Sequence, residues 1–438
     1  MRLIVSLSRV CCWLRRCNPF YRLSMTEEAV EQAADESARE IRCPTAKRAK
    51  FDKDETQETT NKEKRRKVAL FLSYIGSGYN GMQKNPGVRS IEEDLIVALS
   101  KAGTITDECR EKLDKMNFQR CARTDKGVSA AVNVVSLKML VKENALDLIN
   151  SQLPAQIRVM GLIQTTKKFD CKHWCSSRSY EYLSPTFAFA PSYEKTRRDF
   201  RISDEILSRV RYLLYKYNGT HRFHNFTARI RPSDPSAQRY IKEFNCGQPF
   251  ERQGMEFVVL RVNGQSFMLH QIRKMIGLVM TIAQGHSEED IIQRAWGGDR
   301  VDVPRAPALG LLLDRPYFDA YNKKYGTDGC HECVNVSRFE SNIEEFKQKI
   351  YDRIIETELK ENSMMHWLMT LSRHDFSGDR NETARETKRK MQGSEMVKEQ
   401  NDHEVMASNS KKSATGRDTG SNSVSVGDGM PLACNIEQ

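Results

Sequence analysis

Aromatic side chains run out at both ends of this chain. Between Glu27 and Lys67 the one aromatic is Phe51, and the last 62 residues, after Phe376, hold none. Segments so poor in large apolar groups cannot bury enough surface to offset the entropy of ordering, so both are expected to stay disordered. A run of about 18 apolar residues is missing everywhere, which excludes a membrane-spanning helix. Missing too are a P-loop, a dinucleotide glycine fingerprint and a serine-centred elbow. The stretch that remains, 68–376, is long enough for a sizeable core. A peptide hormone, a coiled coil and a collagenous fibre are excluded.

The net charge of the 438 residues is +11. Residues 1–67 carry 16 basic and 11 acidic side chains and residues 377–438 carry 9 and 10, which leaves +7 for the middle. A moderately basic core is compatible with nucleic acid or simply with a solvated surface. The 12 cysteines are scattered and follow no secretory signal, which reads as free thiols in a reducing compartment. No acidic residue precedes Glu27, while Arg2, Arg9, Arg15, Arg16 and Arg22 crowd the first 24 positions, the pattern of a mitochondrial transit peptide. Met25 opens a linker, 25–66, with basic clusters at Lys47-Arg48-Lys50 and Lys62–Lys67 that read as nuclear import signals, nucleic-acid arms or solvated linker. Two forms are therefore expected, mitochondrial from Met1 and nuclear from Met25. The folded domain is expected over 67–373 and a disordered tail over 374–438.

Val68–Tyr74 is short, apolar and bounded by charge and glycine, and reads as a strand. Ser90 and Glu93 form a capping box ahead of a helix whose apolar face is Ile91, Leu95, Ala98, Leu99 and Ala102. Further strands are expected at 132–140, 157–164, 178–188, 236–244 and 256–263. Helices are expected at 143–151, 203–217, 267–284, 288–295 and again within 335–373, with Gly219 and Gly285 as C-caps. Long alternating strands mixed with helices predict an α+β domain with helices against an antiparallel or mixed sheet.

Two segments carry chemistry. In Cys121-Ala122-Arg123-Thr124-Asp125-Lys126-Gly127-Val128 an aspartate has cations two before and one after it. Such a carboxylate stays ionised and suits a nucleophile or charge stabiliser, though a turn-forming aspartate looks the same. The helix around Phe267–Met280 is apolar nearly all round, yet His270, Arg273, Lys274 and Gly277 recur at one face, which is also how the solvent-facing stripe of an ordinary amphipathic helix reads, Lys274 above all. A guanidinium there needs an anion, and pairing Arg273 with Asp125 is the economical reading. The glycines at 76, 78 and 81 match no phosphate cradle and read as a tight turn. Cys330-His331-Glu332-Cys333 is a lone pair of thiols; zinc would need Cys171, His173 and Cys175 as well, so no metal is expected.

Arg123–Val128 together with Tyr74-x-Gly-x-Gly-Tyr-x-Gly-Met-Gln83, Arg178-Ser-Tyr-Glu-Tyr182, Phe267-x-x-His-Gln-Ile-Arg-Lys274 and the Met-x-x-Trp-Leu368 region resemble, in this order, the tRNA pseudouridine synthase I (TruA) family, and its eukaryotic branch most. The resemblance covers about residues 67–373. It implies the pseudouridine synthase fold, two similar halves flanking a basic RNA cleft. It implies that Asp125 is the nucleophile that detaches and reattaches uracil, that Tyr180 packs on the flipped base and assists proton removal, and that Arg123 extrudes the base or fills behind it. Arg273 would pair with Asp125. The implied partners are tRNA and other structured RNAs, with no cofactor; from the sequence itself no membrane is expected, the leader and basic clusters point to mitochondrion and nucleus, and a monomer is the starting assumption. Val132-Asn133 replaces a common Gly-Gln pair, and Ser176-Ser177 replaces an Asp or Asn with Ala before the arginine. A stacked uridine must be flipped to be rebuilt, and an aromatic ring offers it a platform. Other readings keep their place: an RNA-binding module of the same fold, a base-excising glycosylase, and a paralogue acting on the anticodon stem-loop.

Overall fold

The computed structural model describes residues 64–192 and 195–376. The transit-like leader 1–24, the linker through residue 63 with its second start and first basic cluster, and the tail from 377 lie outside the described residues; of the second cluster, Lys64–Lys67 are described, and Arg66 and Lys67 already belong to the first strand. Elements in chain order are β1 (Arg66–Tyr74), α1 (Ile91–Lys101), α2 (Asp107–Glu111), β2 (Gln119–Arg120), β3 (Ser129–Met139), α3 (Ala145–Gln152) and β4 (Ile157–Gln164). There follow β5 (Ser177–Pro185), α4 (Asp204–Tyr215), β6 (Gly219–Arg222), β7 (Gln238–Cys246), β8 (Phe250–Arg252), β9 (Met255–Gly264) and α5 (Gln271–Ala283). The last are α6 (Ile291–Arg294), β10 (Leu311–Tyr317), α7 (Asp319–Tyr325), α8 (Glu340–Glu361) and α9 (Ser363–Leu368).

The ten strands among the described residues form one sheet in the order β4-β1-β3-β10-β5-β9-β7-β6, with β2 on β3 and β8 on β9. Every described pairing is antiparallel except β10 beside β3. The sheet is therefore mixed, with helices packed against it, as the α+β reading expected. Its centre is β10, a strand the sequence reading left out.

Burial explains the strand patterns. Eight of the nine residues in β1 are buried, because the sheet is covered on both faces. Val68, Leu70, Leu72 and Tyr74 pack with Leu95 and Leu99 of α1 and Ile149 of α3. Ala69 and Phe71 point the other way, into the cluster that holds Phe346, Ile350 and Ile354 of α8. Leu207, Val210 and Leu214 of α4 and Met275, Leu278 and Val279 of α5 join Phe244 and Val262 of the sheet in that same cluster.

The local signals hold in part. Ser90 Oγ accepts from Glu93 N at 3.3 Å, but the Glu93 carboxylate turns to Lys84 at 3.7 Å, so one arm of the capping box forms. Gly285 follows the α5 cap with φ +75, as a C-cap should. Gly219, with φ +101, instead opens β6 three residues beyond the α4 cap at Lys216. Helix α5 starts at Gln271, later than the apolar run, because His270 adopts a left-handed conformation that no helix continues.

Candidate active site

Neighbouring strands place Tyr74, Ala130, Leu313, Tyr180 and Val262 in one row across the sheet, so these side chains share a face. The loop 121–128 feeds into β3 beside this row. It is pinned from several sides. The Tyr74 hydroxyl hydrogen-bonds Thr124 Oγ1 at 2.8 Å. Asn133, fully buried in β3, donates Nδ2 to Ala122 O at 2.9 Å and accepts from Ala122 N at 3.2 Å. Arg178, at the start of β5, donates Nη2 to Cys121 O at 2.9 Å. Burial pushes the Tyr74 phenol up to about 12, which keeps it a neutral hydrogen-bonding post.

The glycine turn lies directly against this loop, which explains its composition. Gly127 N donates to Tyr79 O at 3.2 Å and Met82 N to Thr124 O at 3.2 Å. A β-carbon on Gly76 would lie 2.3 Å from Val128 O, and one on Gly81 would lie 2.6 Å from Thr124 O. The turn is a backing plate for the aspartate loop, and only residues without a side chain fit there. Tyr79 fixes the turn from outside, its hydroxyl donating to Asp94 Oδ2 at 2.7 Å with the Arg89 guanidinium 4.5 Å from its ring centre.

Asp125 emerges from this clamp with its side chain 39% exposed. Arg123 is exposed and donates to Gln83 Oε1 at 3.5 Å. Tyr180 is half-buried, edge-on to Phe267 with ring centres 5.3 Å apart, and burial raises its phenol well above the ordinary value. Arg273 does not form the ion pair expected of it. Its Nε donates to Ala306 O at 2.7 Å, and burial followed by the nearby Arg305 lowers its affinity for a proton. Among the described residues, the group within ion-pair reach of Asp125 is His270, with Nδ1 3.5 Å from Oδ2. Lys274 donates to Asn225 O at 2.9 Å and is part-buried, so it is not a solvent-facing residue.

The sequence reading missed three positioning residues. Asn133 had a visible signal, a polar residue inside the apolar run Val132–Val135, which must find partners when buried. Arg178 was visible only as a motif member. His270 was noted on the polar stripe, but its reach to Asp125 depends on a backbone turn that no periodicity marks.

Cys109, Cys121, Cys171, Cys175, Cys246, Cys330 and Cys333 are free. His173 turns onto Asp170 at 2.8 Å and His331 onto Asp328 at 2.7 Å. Among the described residues no three His, Cys, Asp or Glu side chains are grouped to hold a metal ion. No helix among them is long and apolar enough to cross a membrane.

Residues 213–319 match the family model for tRNA pseudouridine synthase. That span holds Arg273 and His270 but not the Asp125 loop. A Mus musculus protein named Pseudouridylate synthase 1 homolog is 49% identical over 338 residues, covering 76% of this chain and 79% of its own. The Homo sapiens protein of that name is 50% identical over 315 residues, covering 71% and 74%. A Yarrowia lipolytica protein named tRNA pseudouridine synthase 1 is 38% identical over 377 residues, covering 67% and 71%.

Proposed function

Because this chain belongs to the tRNA pseudouridine synthase family, we propose that it isomerises uridines of tRNA to pseudouridine, with Asp125 as the nucleophile. The observation that carries the reading is the clamp on the aspartate loop. Side chains from β1, β3 and β5 and the backbone of the glycine turn all fix residues 121–128, while the Asp125 carboxylate stays open to solvent. A rigidly held, accessible carboxylate is what a covalent or ion-stabilising step needs.

The other side chains have parts in this reading. Tyr180 stacks on the extruded base, and its phenol, kept protonated by burial, orients or relays a proton rather than acting as an anion. Exposed Arg123 fills behind the flipped nucleotide and meets phosphate. Arg273 braces the loop at Ala306 and adds positive potential near Asp125. Other structured RNAs are further substrates, because phosphate contacts read shape and not sequence. The Arg-rich leader and basic linker support a mitochondrial and a nuclear form.

The test is chemical. The purified chain is incubated with an unmodified tRNA transcript, and nucleosides and free bases are analysed. Pseudouridine formed without change of mass, and without free uracil, is the expected result. Released uracil would identify a glycosylase, and tRNA binding with no product would identify a binding module.

A further inference from the structure

His270 reaches Asp125 through a backbone that few side chains accept. Its φ of +64° and ψ of 0° are left-handed, a conformation that is strained for a residue with a side chain. Contacts on both sides hold it there. Met268 N donates to Gln271 Oε1 at 2.9 Å, Thr227 Oγ1 to Leu269 O at 3.0 Å, and Lys274 N to His270 O at 3.0 Å. The result is an imidazole 22% exposed, facing the aspartate loop. Its Nδ1 is shut off from solvent and, among the described residues, has no hydrogen-bond partner at standard distance. The Asp125 Oδ2 oxygen lies 3.5 Å from it. Strain kept where a buried polar atom meets a candidate nucleophile marks a functional contact.

We propose that His270 is the positioning residue for Asp125: Nδ1–H donates to Oδ2 and aims the carboxylate, leaving Oδ1 free to react with the flipped uridine. This rests on the reading of Asp125 as the nucleophile. The gap of 3.5 Å is longer than a good hydrogen bond, and such contacts shorten when substrate closes the site. The ring is suited to the task because it is neutral. Burial, then Arg305, with smaller contributions from Arg273 and Lys274, push its pKa below the ordinary imidazole value against the opposing pull of Asp125. A neutral donor orients the carboxylate without quenching it. A protonated ring would hold Asp125 as a tight counter-ion and blunt its attack.

The experiment measures turnover of unmodified tRNA by the full chain, wild type against His270→Gly and His270→Asn, with Asp125→Asn in parallel. Glycine keeps the left-handed backbone and removes the donor. Asparagine also tolerates that backbone, and its amide nitrogen falls where Nδ1 sits. His270→Gly is expected to lower kcat by roughly 10- to 100-fold with little change in KM, the usual effect of losing one preorganised donor. His270→Asn is expected to recover most of that loss. It should also remove the acid fall in kcat that the wild type is expected to show as pH drops through the imidazole titration. A His270→Gly kcat close to wild type, equal losses in both variants, or an unchanged acid limb in His270→Asn would overturn the proposal. Should His270→Gly fail to fold, the acid limb of His270→Asn decides alone. Wild-type turnover by Asp125→Asn would instead remove the nucleophile, and this role with it.

Discussion

Asn133 is the single side chain on which the aspartate loop leans hardest. Its amide satisfies both backbone groups of Ala122, caps Val134 N at 2.9 Å and meets the Tyr74 hydroxyl at 3.3 Å, all in fully buried surroundings. Asn133→Ala would leave several of these groups unpaired, at a cost of about 3 kcal/mol in urea denaturation. Turnover should fall further than the lost stability explains, because the loop loses its inner anchor. A stability change under about 1 kcal/mol would contradict this. At this scale the sequence is legible in kind but not in pairing. An asparagine in an apolar strand announces a buried hydrogen-bond network, yet its partner is a backbone that bears no residue signature. Arg273 shows the same limit. Its need for an acceptor was readable, and the acceptor is a carbonyl at Ala306 on a loop without pattern.

Helices and strands were readable wherever the sequence pattern was strong, as in α1, α4, β4 and β9. The central strand was not. Leu311-Leu312-Leu313 breaks into Asp314-Arg315-Pro316, which reads as loop, and only tertiary partners make it a strand. Arg315 pairs with both Glu340 oxygens at 2.9 Å, and the Asp314 carboxylate lies 3.6 Å from Lys347. The glycine turn was legible as a tight turn but not as the support of the aspartate. Gly81→Ala tests that support, for φ is +94 there and the new β-carbon would press on Thr124 O. The expected result is a modest stability loss, about 1–2 kcal/mol, with turnover reduced more than tenfold as the loop shifts. Full turnover at any melting temperature would show that the turn does not set the loop.

Across the whole molecule, the face of the sheet opposite Tyr180 is closed by α8, and one cation ties the layers together. Lys347, 8% exposed at its side chain, lies 3.6 Å from Glu181 and from Asp314 and 3.1 Å from Glu344. Glu181 also receives Arg261 Nε at 2.8 Å and the Tyr351 hydroxyl. Burial, and then Glu181, already raise the Asp314 pKa above the ordinary carboxylate value. A carboxyl with a raised folded pKa favours the fold when protonated and opposes it as pH rises through that value. Lys347→Met should therefore cost about 3 kcal/mol at pH 7, with a smaller penalty as pH falls toward the carboxylate range. Urea unfolding at several pH values measures it, and a penalty that grows in acid would contradict the assignment. None of this layer was readable beyond its helical period, because it depends on charges about 30 to 170 positions apart meeting across the sheet.

At the same scale Asp125 is where two stretches far apart in the chain meet, the loop before β3 and the start of α5. The decisive measurement is pseudouridine formed in tRNA by Asp125→Asn beside wild type, with a binding titration at matched salt. The amide is nearly isosteric, so the fold should survive, and losing one negative charge should leave RNA affinity equal or slightly higher. It is a far poorer nucleophile, so product should vanish. Undiminished binding with no pseudouridine is the predicted result; near-normal turnover by Asp125→Asn would contradict it.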